Sequence, residues 1–292
     1  MQKEINPQKI KESLKENLEV LCQSHGVAGF ENDVRNVVKE QIRDYVDDIK
    51  VDALGNLIAT RRGNSKYSLM IAAHLDEIGL LIKRIDKNGF LWFEPVGGVF
   101  PQVLFSRPVV IKTDNGYVKG IINHLKPGRP EMIKDLPEIQ DFFIDVGARS
   151  KEEVKEMGIE VGNPVSIQYD FMSLGKNKIA GKALDDRLFV FMLIEVLKLL
   201  KDDKDIPDVH AVFTTQEEVG LRGAKTSAYS LNPDECLALD ISIANDIPGT
   251  PDRKIITELD KGPVIKVMDL VPRAMLGLIA SQKIVNKLKK VA

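Results

Sequence analysis

The stretch Gly181-Lys182-Ala183-Leu184-Asp185-Asp186-Arg187 sets two adjacent carboxylates just ahead of a long apolar helix pattern. His74, the pair Glu217-Glu218 and Asp240 add an imidazole and three further carboxylates. Brought together, these groups would crowd negative charge into one place, and unpaired buried charges are costly. Cations would neutralise such a cluster. The chemistry indicated is that of divalent metal, with Asp185 bridging two ions.

His74 and Asp76 lie two apart on an extended segment, so their side chains share a side. A metal-bound imidazole usually donates its other N–H to a carboxylate, a role open to Asp76. Glu217 and Glu218 follow an apolar strand pattern, and Gly220 offers the break that would let both serve one site. One would ligate metal while the other takes a proton from metal-activated water. Each motif also has a plainer reading taken singly: a strand-end histidine, solvated glutamates, or aspartates capping a helix. Asp240 closes the apolar run Leu237-Ala238-Leu239, where a carboxylate wants a partner. Other patterns lead elsewhere or nowhere. Gly175 to Lys182 has the wrong glycine spacing for a phosphate loop, and no Gly-x-Ser-x-Gly occurs. His25, His124 and His210 read as solvated or packing histidines.

The elements that must position these residues alternate at both ends of the chain. Helical spacing covers roughly 8–21 and 34–42, a turn 52–56, and strands 57–60 and 68–73. After Arg187 come a helix to Leu200, a strand Val209 to Thr215, a helix Arg222 to Tyr229 and a strand Cys236 to Leu239. Such alternation predicts an α/β fold, a mainly parallel sheet flanked by helices, with ligands beyond the carboxyl ends of its strands. His74, Glu217-Glu218 and Asp240 all stand at such ends. From about Ile78 to Leu174 the texture is all-β, with hairpin signals at Asn88-Gly89 and Asn115-Gly116. A helix is predicted only after Ser150, and an exposed loop at 126–137. The predicted division is therefore 1–77 with 178–292 as a discontinuous α/β domain, and 78–177 as an inserted β-barrel-like module.

Composition narrows the class. The 292 residues carry 41 basic and 43 acidic side chains, a net charge of −2, without long runs of either sign. No nucleic-acid or membrane partner is expected, and a charged N-terminus without a membrane-length apolar run predicts a cytoplasmic protein. Cys22 and Cys236 match no zinc or redox spacing and read as buried free thiols.

Together, Ala73-His74-Leu75-Asp76-Glu77-Ile78-Gly79, Gly181 to Arg187, Gln216-Glu217-Glu218-Val219-Gly220 and Ala238-Leu239-Asp240 resemble the motif set of the TET-type glutamyl/leucyl aminopeptidases. These are two-metal exopeptidases, some of which carry an endoglucanase label. Ser24 to Arg35, Gly97-Gly98 and Gly262 to Val267 are similar as well. The resemblance implies a co-catalytic metallopeptidase fold. It implies that His74 and Asp240 hold one metal, Asp185 bridges both, and Glu218 helps hold the second, zinc or cobalt being the expected ions. Glu217 would be the general base, Asp76 would orient His74, and the Asp185–Asp186 peptide would be cis. Short peptides would be the substrate, and the β module would dimerise the chain into a homo-oligomer, a tetrahedral dodecamer in the family. The family supplies one more histidine to the second metal near its C-terminus, whereas here His210 is the last histidine, and Phe189 stands where glycine is common. A weak second site and low activity are the expectation from that difference. Two rival readings follow from the same residues: a glycosidase using two carboxylates without metal, and a non-catalytic binding or assembly subunit.

Overall fold

Apolar strand runs closed by turn residues build the sheet that carries the candidate site. The computed structural model describes residues 10, 11, 13–125, 137–271 and 276–292. A π-helical turn Leu14–Leu18 runs into the helix Glu19–Gln23, and the helix Asn32–Ile42 follows a Gly-rich loop. Strands β1 (Asp48–Val51), β2 (Leu57–Arg61) and β3 (Ser68–His74) come next. Between them and the second half stand β4 (Gly79–Ile85), β5 (Leu91–Val96), β6 (Pro108–Thr113), β7 (Gly116–His124), β8 (Phe142–Asp145) and β9 (Pro164–Ile167). A short hairpin, β10 (Met172–Leu174) with β11 (Lys178–Ala180), leads to the helix Leu184–Leu200. The strand β12 (Asp208–Thr214), the helix Arg222–Leu231 and the strand β13 (Glu235–Ala238) complete the pattern.

The five-stranded sheet has the order β1-β2-β12-β3-β13. β12 and β13 run parallel to β3, whereas β2 is antiparallel to β12 and β1 to β2. The sheet is therefore mixed, not mainly parallel as its alternation predicts. For β1 and β2 the cause is local: Asp52 Oδ1 accepts from the amides of Leu54, Gly55 and Asn56, and Gly55 takes φ +107°. This closes a tight turn that can only join antiparallel neighbours.

Helices cover both faces. On one, Val190, Phe191, Leu193, Ile194 and Leu197 of the long helix pack with Leu18, Leu21, Val34 and Val38 onto Leu57, Ala59, Ala73, Ala211 and Phe213. Phe189 lies half-buried against this core. On the other face Ile58, Met70, Ala72 and Val212 meet Ala228 and Leu231 of the helix Arg222–Leu231. Alternating apolar residues of β4 to β9 close into a six-stranded barrel of order β4-β5-β8-β7-β6-β9, filled by Leu80, Phe93, Ile111, Phe142, Ile144 and Val165 among others. Both predicted Asn-Gly hairpins occur, joining β4 to β5 and β6 to β7. Ser150 caps the predicted helix, Lys151–Glu156, by accepting from the Glu153 amide. The expected loop at 126–137 lies outside the described residues except for Pro137.

The chain divides into two compact units, Met1–Asp240 and Ile241–Ala292. The second contains an antiparallel pair, β14 (Met268–Val271) with β15 (Leu276–Ile279), and the helix Gln282–Val291, with Val285 buried. Among the described residues no helix is long and apolar enough to cross a membrane. Cys22 is buried, as expected, but Cys236 is exposed, because it sits on the edge strand β13.

Candidate metal centre

The parallel strands deliver their end residues to one rim of the sheet. His74 is the last residue of β3 and pairs in register with Thr214, the last of β12. The Leu239 amide donates to the Ala72 carbonyl, so Asp240 leaves β13 beside the end of β3. Asp185 and Asp186 open the long helix with non-helical backbone angles, joined by a cis peptide, and the helical path proper starts behind them.

His74 is buried, and Nδ1 lies 3.0 Å from the Asp76 carbonyl oxygen. A carbonyl can only accept, so Nδ1 carries the hydrogen and Nε2 is left for the site. Nε2 stands 3.0 Å from Asp185 Oδ1 and 3.9 Å from Glu217 Oε2. The Asp76 carboxylate is 3.7 Å from Nδ1, too far for a hydrogen bond. It accepts instead from the backbone amides of Glu217 and Glu218, both at 3.0 Å. Asp76 thus touches the imidazole through its main chain and the glutamate pair through its side chain.

Two groups of possible ligand atoms lie within 4.8 Å of one another: His74, Asp185 and Glu218, and Asp185, Asp186 and Asp240. Asp185 belongs to both. His74 falls with Glu218, and Asp240 with Asp186, a pairing different from that implied by the family motifs. Asp186, marked in the sequence only as half of a carboxylate doublet, joins the second group. Asp240 is exposed, because β13 is an edge strand.

The electrostatics are those of a site short of positive charge. Burial, reinforced by neighbouring carboxylates, pushes Glu217 and Glu218 each up to about 7. Asp186 is pushed up to about 9 by burial and by Asp240 and Asp185 against the opposing pull of His74. Burial alone would lower His74, yet the Asp185 hydrogen bond and the charges of Asp76 and Asp186 raise it to about 11. Asp186 Oδ1 is buried without a hydrogen-bond partner. A lone carboxylate oxygen, an imidazole nitrogen facing a carboxylate and a shared central aspartate form a donor set that fits divalent cations.

The other histidines do not join it. His25 is buried with Nδ1 2.6 Å from Ser166 Oγ, His210 Nδ1 meets Thr60 Oγ1 at 3.0 Å, and His124 packs edge-on against Phe105. Below the site, Lys182 bridges both Glu77 oxygens at 2.8 Å, and Arg187 is wholly buried, donating to the Leu75 and Leu21 carbonyls.

Residues 55–292 match the family model for the M42 glutamyl aminopeptidases. The chain is 35% identical over 256 residues to the lysyl aminopeptidase of Pyrococcus furiosus, covering 86% of this chain and 72% of that protein. It is similar to the solved aminopeptidase APDkam598 of the archaeon Desulfurococcus kamchatkensis, with TM-score 0.88, 40% identity, and coverage of 97% and 77% of the two chains. It is also similar to the Pyrococcus horikoshii TET1 peptidase, which can assemble into a tetrahedron or a large octahedral shell, with TM-score 0.82, 33% identity, and coverage of 96% and 81%.

Proposed function

This chain belongs to the M42 glutamyl aminopeptidase family, and from that premise we propose that it is a metal-dependent aminopeptidase that removes N-terminal residues from short peptides. The observation that carries the reading is the place of Asp185 in both groups of candidate ligands. Following the family motifs rather than the partition of those two groups, we assign His74 and Asp240 to one ion, Asp185 to both, and Glu218 to the second, with Asp186 as an added donor; zinc or cobalt suits such a mixed shell. The ions, when bound, would acidify water and polarise the scissile carbonyl. The chain's own groups do the rest. Glu217 removes a proton from the attacking water and returns it to the departing amine as the C–N bond breaks. Asp76 fixes the backbone of the glutamate pair by accepting from both amides. A glycosidase has no use for an imidazole set between these carboxylates. The family match lends no support to impaired activity or to a non-catalytic subunit.

We assign residues 78–177, which contain the barrel, to an association module inserted in a catalytic domain of 1–77 and 178–292. The likeness to the TET1 peptidase supports a homo-oligomer, and the module is assigned as its contact by the family resemblance. Glu217→Gln tests the mechanism. Cleavage of aminoacyl-p-nitroanilides is expected to fall by about 10²-fold or more at unchanged metal content. Undiminished turnover removes Glu217 from the reaction.

A further inference from the structure

Four successive backbone amides at the glutamate pair each donate to a side chain from elsewhere in the fold. The Thr215 amide donates to Asn56 Oδ1 at 2.9 Å and the Gln216 amide to Glu31 Oε1 at 3.1 Å. The Glu217 and Glu218 amides donate to the two oxygens of Asp76. Gln216 in the middle takes φ +55°, a left-handed conformation that a non-glycine residue holds only when its surroundings insist. We propose that Glu31 and Asn56 are positioning residues for the metallopeptidase site, setting where Glu217 and Glu218 stand by gripping the backbone that carries them. The proposal rests on the metal-dependent reading of that site.

Both grips are themselves anchored. Asn56 is fully buried, and its Nδ2 donates to Asp52 Oδ2 and Thr226 Oγ1 and lies 3.3 Å from the Gly223 carbonyl, tying the β1–β2 turn to the helix Arg222–Leu231. The amides of Gly223 and Arg222 return the contact by donating to the Thr215 and Gln216 carbonyls. Glu31 is buried and accepts a second amide, that of Gly29, at 2.7 Å with the same oxygen. The loop carrying it is hooked to the segment after His74, since the Glu77 amide donates to the Gly26 carbonyl and the Ala28 amide to the Glu77 carbonyl. Glu31 therefore joins the segment that bears His74 and Asp76 to the turn that bears the glutamates. It heads the helix Asn32–Ile42 without capping it through its side chain, so helix formation does not account for a buried carboxylate there.

Reach and charge can be separated by two substitutions. Glu31→Gln keeps an acceptor oxygen at the same distance and discards the charge. Glu31→Asp keeps the charge but falls one methylene short of the Gln216 amide, and aspartate is a favoured cap that preserves the helix start. Both are measured for melting temperature, for kcat and KM on an aminoacyl-p-nitroanilide, and for cobalt(II) affinity by visible absorption of the purified full chain. The expected result for Glu31→Asp is a loss of roughly 10–100-fold in kcat or cobalt affinity with KM within about twofold, while Glu31→Gln stays within about threefold of wild type. Asn56→Ala is expected to behave like Glu31→Asp. Equal losses in both Glu31 variants, or melting shifts with kcat and cobalt affinity untouched, overturn the proposal. Wild-type protein that binds no cobalt and cleaves nothing overturns the metallopeptidase reading itself, and the proposal with it.

Discussion

Lys182 and Glu77 lie 105 residues apart in sequence and face each other at 2.8 Å inside the protein, each side chain 4% exposed. Ser166 Oγ donates to the same carboxylate at 3.1 Å, so the pair is hydrogen-bonded as well as neutralised. Removing one partner strands the other charge away from water. Lys182→Met is expected to cost about 3–5 kcal/mol, read as a lower midpoint in urea, and adding Glu77→Gln should recover much of that loss. A single substitution without effect would mean that the pair contributes nothing to stability. This pair also marks the limit of sequence reading at the residue scale. Asp185, His74, Glu217, Glu218 and Asp240 were legible because each stands at a strand end or helix start, where local pattern says what comes next. Lys182 and Arg187 lie in the same stretch as Asp185, but their roles depend on Glu77, Leu21 and Leu75, which no local spacing brings near.

Among the elements, the start of the helix Arg222–Leu231 is the most tightly fitted against the site. A Cβ on Gly223 would lie 2.2 Å from Asn56 Oδ1 and 2.5 Å from the Thr215 carbonyl oxygen, neither of which can yield without releasing the turn before Glu217. Gly223→Ala is therefore expected to destabilise the fold by about 1–3 kcal/mol and to lower peptidase activity in the fraction that stays folded. Thermal melting with activity per folded molecule checks both, and an unchanged melting temperature would contradict this account of the packing. Element types were largely readable: the Asn-Gly turns gave the barrel's hairpins, and Ser150 gave the start of its helix. Strand direction was not. β2 is buried along its whole length, and a buried strand looks alike in either direction. The Asp52–Asn56 turn held the information for β1 against β2, because so short a connection joins antiparallel strands, but no local signal gave β2 against β12.

At the scale of the whole molecule, His25 links the N-terminal loop to the barrel strand β9 through Ser166. Burial pushes its imidazole down from 6.5 to about 4, partly offset by Glu77. Between those values the unfolded chain binds the proton and the folded chain does not. His25 therefore makes the protein less stable as pH falls from 6.5 toward 4, by up to about 1.4 kcal/mol per pH unit. His25→Asn should flatten that slope relative to wild type in urea unfolding at pH 7, 6 and 5, and parallel slopes would contradict the assignment. The acidic rim, where buried Asp186, the half-buried glutamates, exposed Asp240 and one imidazole converge on Asp185, is assigned as a metal site. Metal content per chain, measured after dialysis against zinc and then buffer for wild type and Asp185→Asn, tests it most directly. One firmly held ion and a second that is more readily lost to buffer are expected in the wild type, with both lost when the shared carboxylate becomes an amide. An Asp185→Asn protein that keeps its full complement would contradict that assignment.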